Sequence, residues 1–279
     1  MTPDSNIVSI VMAAGRGSRM KDFDGNKTLL PLIPEKSRFE GREPMLVHVL
    51  RSLPEGEKAV IVHYRCDDVK TATRNFALTY CLQPTLNGTG GALLAVRAFL
   101  EAQTADRVLI TMGDVPFVRP ETYRALIAKL DTHHMVALGF RPADKKQYGV
   151  LEIDGEQVQR IVEWKYWREY SEAARTALEV CNAGIYAVRR GVLTTYLSVL
   201  ESRPQCVEKE RDGRLTTIRE YFLTDIIEYM NADGLRVGFV LAEDEMETMG
   251  VDDPAALEKA QAYYRRRCPA LHDGGAALR

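Results

Sequence analysis

The stretch SIVMAAGRGSRM, Ser9 to Met20, sets an apolar run directly against two glycines and two arginines. Ala13, Ala14, Gly15 and Gly17 leave the main chain uncovered, so its N–H groups can approach an anionic phosphate chain closely. Arg16 and Arg19 add guanidinium charge with a fork geometry suited to phosphate oxygens. A tight turn with surface arginines accounts for the same residues as well. Two other phosphate templates fail. The third glycine of G-x-G-x-x-G is Met20 here, and in GNKT, Gly25 to Thr28, a residue separates glycine from lysine, unlike a P-loop.

Such a loop acts only where a fold presents it. Apolar β-branched runs and helical patterns alternate through the first half: IVSIVMAA, MLVHVLRSL, KAVIVHY, a helix over about 67–76, LTYCLQ, GGALLAVRAFLEAQ, RVLITMGD and ETYRALIAKLDTH. This rhythm predicts an α/β, doubly wound, mostly parallel Rossmann-like sheet that binds its ligand at the carboxyl ends of the strands. After about Met135 the segments MVALGF, YGVLEID, VQRIVEWK and LEVCNAGIYAV follow nearly strand upon strand. They predict a mixed or antiparallel extension laid over the parallel half and shaping a second substrate pocket. Helices over about 191–202 and 223–231, the strand RVGFVLAE, a helix over 254–267 and a frayed tail from Pro269 complete the expectation. The expected organisation is one domain over 1–252, divided near 135 into a nucleotide-binding and a sugar-binding half, then a C-terminal helix and tail over 253–279.

Composition narrows the partners. Lys and Arg number 37 against 39 Asp and Glu, a net charge of −2 over 279 residues, so no global basic field recruits nucleic acid or an anionic membrane. Any polyanion must be held by a local site. The five cysteines are odd in number, scattered and without a C-x-x-C pair, which argues against a disulfide framework or a zinc cluster and for a reducing, cytoplasmic setting. The apolar stretch from Ile7 to Ala14 has strand length, so no export or membrane-anchoring signal is expected.

VMAAGRGSRM resembles the L-A-A-G-x-G-[ST]-R-M signature of the sugar-phosphate nucleotidyltransferase family, above all the uridylyltransferase domain of bacterial N-acetylglucosamine-1-phosphate uridylyltransferases. Further segments follow in the family's order, in pieces from about residue 7 to 257. The resemblance implies the nucleotide-diphospho-sugar transferase fold. It makes Ala13, Ala14, Gly15, Arg16 and Gly17 nucleotide-binding, with Arg19 and Lys27, in NKTLLPL, facing the triphosphate; the proline that precedes that lysine in the family is Asn26 here. LQPTLNGTGGAL is similar to Q-x-x-x-x-G-T-[GA], so Gln83, Gly88 and Thr89 are implied to hold the nucleotide, glutamine and glycine reading a uracil edge. MGDVPF carries the family's magnesium aspartate at Asp114, and MGVDDP places Asp252 where the family has an asparagine ligand. Both are hard oxygen donors of the kind Mg²⁺ takes beside substrate phosphates.

The sugar side is implied by QYGVLEID, IVEWK, CNAGIY and EYFLTD, which assign Gly149, Glu163, Asn182 and Thr224 to the sugar and Lys165 to phosphate. Three departures stand out: Val150 for an arginine, Ala183 for a threonine and Phe222 for a tyrosine. The implied reaction is Mg²⁺-dependent transfer from UTP to a sugar 1-phosphate, forming a UDP-sugar such as UDP-N-acetylglucosamine and pyrophosphate. Another sugar phosphate, CTP or GTP, or a non-catalytic nucleotide-sugar sensor are the alternatives. The hexapeptide repeats that follow this domain in its best-matched relatives are not found, so acetyl transfer is not expected.

Overall fold

The computed structural model describes residues 6–17, 19, 20, 22–211 and 214–268; the tail expected to fray from Pro269 lies outside them. Thirteen strands are described: β1 (Ile7–Met12), β2 (Pro31–Ser37), β3 (Glu40–Pro44), β4 (Lys58–Val62), β5 (Thr79–Leu82), β6 (Arg107–Met112), β7 (Met135–Phe140), β8 (Val150–Asp154), β9 (Gln157–Val162), β10 (Cys181–Arg189), β11 (Gln205–Arg211), β12 (Arg214–Glu220) and β13 (Val237–Leu241). Nine of them form one sheet in the order β13-β7-β10-β6-β1-β4-β5, with β8 branching from β10 and carrying β9.

The fold is the expected α/β arrangement with a mostly parallel centre. β1, buried at all six positions, lies parallel to both β4 and β6. Side chains alternate across the pleat and divide the apolar core in two. Val8, Ile10 and Met12 pack on one face with Leu93, Leu100, Leu197 and Leu200, while Ile7 and Val11 meet Leu46, Leu50, Tyr123 and Leu126 on the other. The second half corrects one expectation. Its strands are not laid over the parallel half: β10 inserts antiparallel between β6 and β7 and continues the same sheet. Ile185, Tyr186, Ala187 and Val188 are all buried and the strand is paired on both edges, as an interior strand covered on both faces must be.

Local patterns were less faithful. The helix expected over GGALLAVRAFLEAQ is two pieces, Gly88–Leu94 and Arg97–Glu101. The stretch VQRIVEWK ends as a strand at Val162, and Glu163 turns the chain into a short helix, Trp164–Trp167. Two hairpins, β2–β3 and β11–β12, stand apart from the main sheet.

Register sets the working edge. Met12 pairs with Ile61 and with Met112, so β1, β4 and β6 end level and discharge residues 13–17, 63–65 and 113–114 on one side. A third apolar cluster lies beyond that edge, uniting Met20, Leu30, Leu32, Met45, Phe117, Val251, Leu257 and Tyr264. The helix Pro254–Arg267 closes it, and Gln261 Nε2 donates to the Pro31 and Arg38 carbonyls at 2.8 Å each.

The segment before that helix is held by an ionic clamp. Glu247, 0% exposed, accepts from the Thr122 hydroxyl at 2.6 Å, from the Arg119 backbone N–H at 3.3 Å and from the Arg119 guanidinium. These donors sit at the start of the helix Pro120–Lys129, whose open N–H groups favour a carboxylate. Glu247→Ala is expected to cost about 2 kcal/mol, because the Arg119 N–H and the Thr122 hydroxyl lose their acceptor while the Arg119 guanidinium keeps Glu243. Equilibrium urea unfolding checks it, and a loss under about 1 kcal/mol would contradict the clamp.

Candidate functional site

The glycine loop leaves β1 at the level edge. No atom lies within 4 Å of where a Gly15 Cβ would stand, whereas a Cβ on Gly17, at φ +65°, would come within 2.9 Å of the Lys27 Cβ. Glycine is therefore required at 17, both for its left-handed backbone and for the close approach of the lysine.

Lys27 is the meeting point of three distant segments. Its ammonium lies 2.5 Å from Asp114 Oδ2 and 2.5 Å from Asp252 Oδ1. Asp114 follows β6, and its carbonyl accepts from the Val251 N–H at 3.0 Å, which draws in the segment that carries Asp252. Arg19 stands farther out, with a guanidinium nitrogen 3.7 Å from Asp252 Oδ2 and a largely exposed side chain. The sequence-assigned Arg19, Lys27, Asp114 and Asp252 thus stand together.

Charge follows geometry. Burial disfavours the Lys27 ammonium, but Asp114 and then Asp252 outweigh it and hold its pKa above 10.5. Burial likewise raises Asp252, and Lys27 more than reverses this, leaving that carboxyl below 3.8. A raised lysine contributes fully below 10.5 and fades as pH rises through its folded value. A depressed aspartate contributes above 3.8 and fades as pH falls. The contact therefore holds across the neutral range.

The residues assigned to the base lie beside β5. Gln83, 3% exposed, directs Nε2 to Asn87 Oδ1 at 3.2 Å and to the Gly88 carbonyl at 3.3 Å. Two acceptors on the amide nitrogen fix the flip of the carboxamide. Gly88 has φ +93°, and a Cβ there would fall 2.3 Å from the Tyr221 carbonyl. The Thr89 hydroxyl accepts from the Leu223 N–H at 3.1 Å, so this loop is tied to the segment 221–223.

A cavity of about 1060 Å³ opens on the far side of that tie, and Glu163, Lys165, Asn182 and Thr224 all line it, as does Thr89. Gly149 flanks it: a Cβ there would stand 3.4 Å from Glu163 Oε2, and its carbonyl accepts from the Asn182 N–H at 2.8 Å. Burial pushes the Glu163 carboxyl up; Lys165 and a hydrogen bond from Thr224 oppose this, and Asp225 adds to it. Asn182 is held by Tyr186, whose hydroxyl is 2.8 Å from its Nδ2, and by the Gly184 N–H at 3.1 Å from its Oδ1. A second cavity, of about 870 Å³, adjoins Arg19, Tyr148 and Asp252, and shares Gln147 and Trp164 with the first.

The three departures from the family pattern separate. Val150 and Ala183 are core residues, packed with Val162, Trp167 and Cys181, while Phe222 lines the larger cavity. Sequence reasoning marked Asn26 only as a departure from a proline and passed over Asn87, Asp225 and Glu247. Asn26 carried a usable signal, an Asx residue opening a turn; Glu247 carried none, since its partners lie more than a hundred residues away.

Residues 9–190 match the MobA-like NTP transferase domain family. The chain is 34% identical over 272 residues to the bifunctional protein GlmU of Cereibacter sphaeroides (strain ATCC 17023), covering 95% of this chain and 54% of that protein. With GlmU of Novosphingobium aromaticivorans it shares 35% over 283 residues, 99% of this chain and 57% of the relative. The chain thus spans little more than half the length of these relatives. In fold it is similar to the uridine diphosphate N-acetylglucosamine pyrophosphorylase of Trypanosoma brucei (TM-score 0.70, 12% identity, 98% of this chain and 69% of that one). It is also similar to a putative glucose-1-phosphate thymidylyltransferase of Bacillus anthracis (TM-score 0.64, 18% identity, 98% of each chain). With its level strand edge, glycine loop and joined Lys27, Asp114 and Asp252, the chain belongs to the MobA-like NTP transferase domain family and is a nucleotidyltransferase.

Proposed function

We propose that this chain transfers the uridylyl group of UTP to a sugar 1-phosphate, N-acetylglucosamine 1-phosphate or a close relative. The observation that carries the reading is the Lys27 ammonium held between Asp114 and Asp252 beside Gly17. In the reaction a phosphate oxygen of the sugar phosphate attacks the α-phosphorus of UTP. The bond from that phosphorus to the bridging oxygen breaks, and pyrophosphate leaves with the electron pair. The nucleophile is already an anion, so no serine or histidine relay is needed. The protein's work is to position two polyanions and to meet the charge that grows on the leaving group.

Lys27, Arg19 and the open main chain at Gly15 supply that charge complement. Asp114 and Asp252 fit Mg²⁺: both are hard oxygen donors, and they already share one cation, so their oxygens lie within twice 2.5 Å of each other. Among the described residues no group of three or more His, Cys, Asp or Glu could hold a metal alone, so substrate phosphates would complete the shell. When bound, Mg²⁺ would neutralise phosphate charge and lower the repulsion between the two substrates.

Uracil recognition is supported by Gln83. Its amide nitrogen is committed to Asn87 and Gly88, which leaves Oε1 as a buried acceptor for an imide N–H. A sugar is supported by the acceptor-rich cavity around Glu163, Asn182 and Thr224. No helix among the described residues is long and apolar enough to cross a membrane.

Pyrophosphate release from UTP and N-acetylglucosamine 1-phosphate in MgCl₂ tests the reaction, and binding of both without turnover would leave a sensor instead. Asp114→Ala and Lys27→Ala are each expected to lower kcat on the order of a hundredfold, the scale of losing one transition-state electrostatic partner. A near-normal rate removes that residue from the mechanism. Gln83→Ala should cut the kcat/KM preference for UTP over CTP by about tenfold or more, through loss of a paired polar contact; unchanged selectivity places base reading elsewhere. Because the Glu163 pKa lies above 4.5, the KM for the sugar phosphate is expected to rise with acidification before ordinary glutamates titrate. Glu163→Gln should abolish that rise, and a pH profile shared by both proteins would exclude Glu163.

A further inference from the structure

We propose that Asn26 is a positioning residue whose side-chain hydrogen bonds aim Lys27 at the triphosphate. The inference rests on the reading of Lys27 given above.

Asn26 is 1% exposed, and every hydrogen-bonding position of its carboxamide is engaged. Nδ2 donates to the Ala13 carbonyl at 2.9 Å and to the Tyr64 carbonyl at 3.0 Å. Oδ1 accepts from the Thr28 N–H at 3.0 Å and from the Thr28 hydroxyl at 2.8 Å. Three pieces of the molecule are joined by these bonds. Ala13 opens the glycine loop beyond β1, Tyr64 lies just past β4, and Thr28 is the middle residue of the short turn Lys27–Leu29 that the lysine begins. Thr28 in turn packs its methyl against Gly113, where a Cβ would meet it at 3.1 Å, next to Asp114.

The backbone at Asn26 has φ −75° and ψ 120°, values a proline also adopts. The ring would fix φ but would leave the Ala13 and Tyr64 carbonyls without these donors. The asparagine therefore adds something the proline cannot: it couples the direction of Lys27 to the ends of the two strands that frame the nucleotide loop. Gly17 lies so close to the lysine that a Cβ there would meet the Lys27 Cβ at 2.9 Å. An ammonium displaced by about 1 Å loses much of its effect on a developing charge, so this coupling bears on rate and not only on stability.

Aspartate separates this role from helix capping. Asp and Asn cap a turn about equally, and Asn26→Asp keeps both bonds from Thr28. It also sets a carboxylate oxygen against the Ala13 and Tyr64 carbonyls, which lie 2.9 and 3.0 Å from the present Nδ2. Positioning therefore predicts that Asn26→Asp is damaging, and capping alone predicts that it is silent.

The experiment compares wild type, Asn26→Ala, Asn26→Asp, Lys27→Ala and the double variant Asn26→Ala/Lys27→Ala. Each is measured by the thermal midpoint, the calorimetric Kd for inorganic pyrophosphate in MgCl₂, and kcat with UTP and N-acetylglucosamine 1-phosphate. Expected are a weakening of pyrophosphate binding of about tenfold and a kcat loss of about 10- to 100-fold for both Asn26 variants. In the Lys27→Ala background Asn26→Ala should add less than about twofold, since the two residues act as one unit. Additive losses, or a wild-type Asn26→Asp, would overturn the proposal while leaving Lys27 intact. An unaffected Lys27→Ala would instead overturn the reading beneath it. Should Asn26→Ala fail to fold, Thr28→Val removes one of the four bonds and is expected to show a smaller loss of the same sign.

Discussion

One ammonium group holds this site in its resting form. Asp114 and Asp252 lie far apart along the chain, and two carboxylates this close repel unless a cation lies between them. Lys27 supplies that cation from a third segment, 2.5 Å from each. The arrangement is electrostatically matched without ligand, and it marks a place where positive charge is favoured. Under the proposed reaction a divalent cation would take that point only as the Lys27 ammonium, now 2.5 Å from each carboxylate, swings out toward the phosphates.

Ionic contact alone does not build such a site, because partly exposed charges in water gain little. Packing does the larger share. In the third apolar cluster Met20 follows Arg19, Leu30 follows the Lys27 turn, Phe117 follows Asp114 and Val251 precedes Asp252. Each charged residue thus stands within a few positions of an apolar anchor in one common cluster. Burial of these anchors fixes the segments, and the charges are carried with them. Glu247 adds a second restraint by joining the turn before Asp252 to the start of the helix after Asp114.

The two ligand regions are joined as closely. The loop 87–90, which carries Gly88 and Thr89, is bonded through Asn87, Thr89 and Gly90 to residues 221–223, and Thr224 follows directly in the larger cavity. Of the three departures from the family pattern only Phe222 faces that cavity. The apolar Val150 and Ala183 serve the core, so they leave the polar wall formed by Glu163, Asn182 and Thr224 in place. Phe222 is then the residue of the three that bears on the shape of that cavity.

Much of this was legible in the residues themselves. β-Branched runs alternating with helical spacing determined a parallel α/β centre, because such strands are buried on both faces and need crossover helices. The glycine loop and the acid after β6 were readable as well, since strand ends and glycines are set by local backbone chemistry. The second half was harder: apolar runs there specified strands, but not that β10 would enter the main sheet between β6 and β7. Pairing depends on partners far along the chain, and no local pattern states it. Asn26 and Glu247 show the same limit at the level of single residues. An asparagine in a turn and a glutamate before one are ordinary surface types, and only tertiary packing buried them and supplied their partners. The sequence by itself determined which chemistry was on hand. The tertiary structure decided which groups share one point in space, because long-range burial, not local propensity, sets the distances between charges.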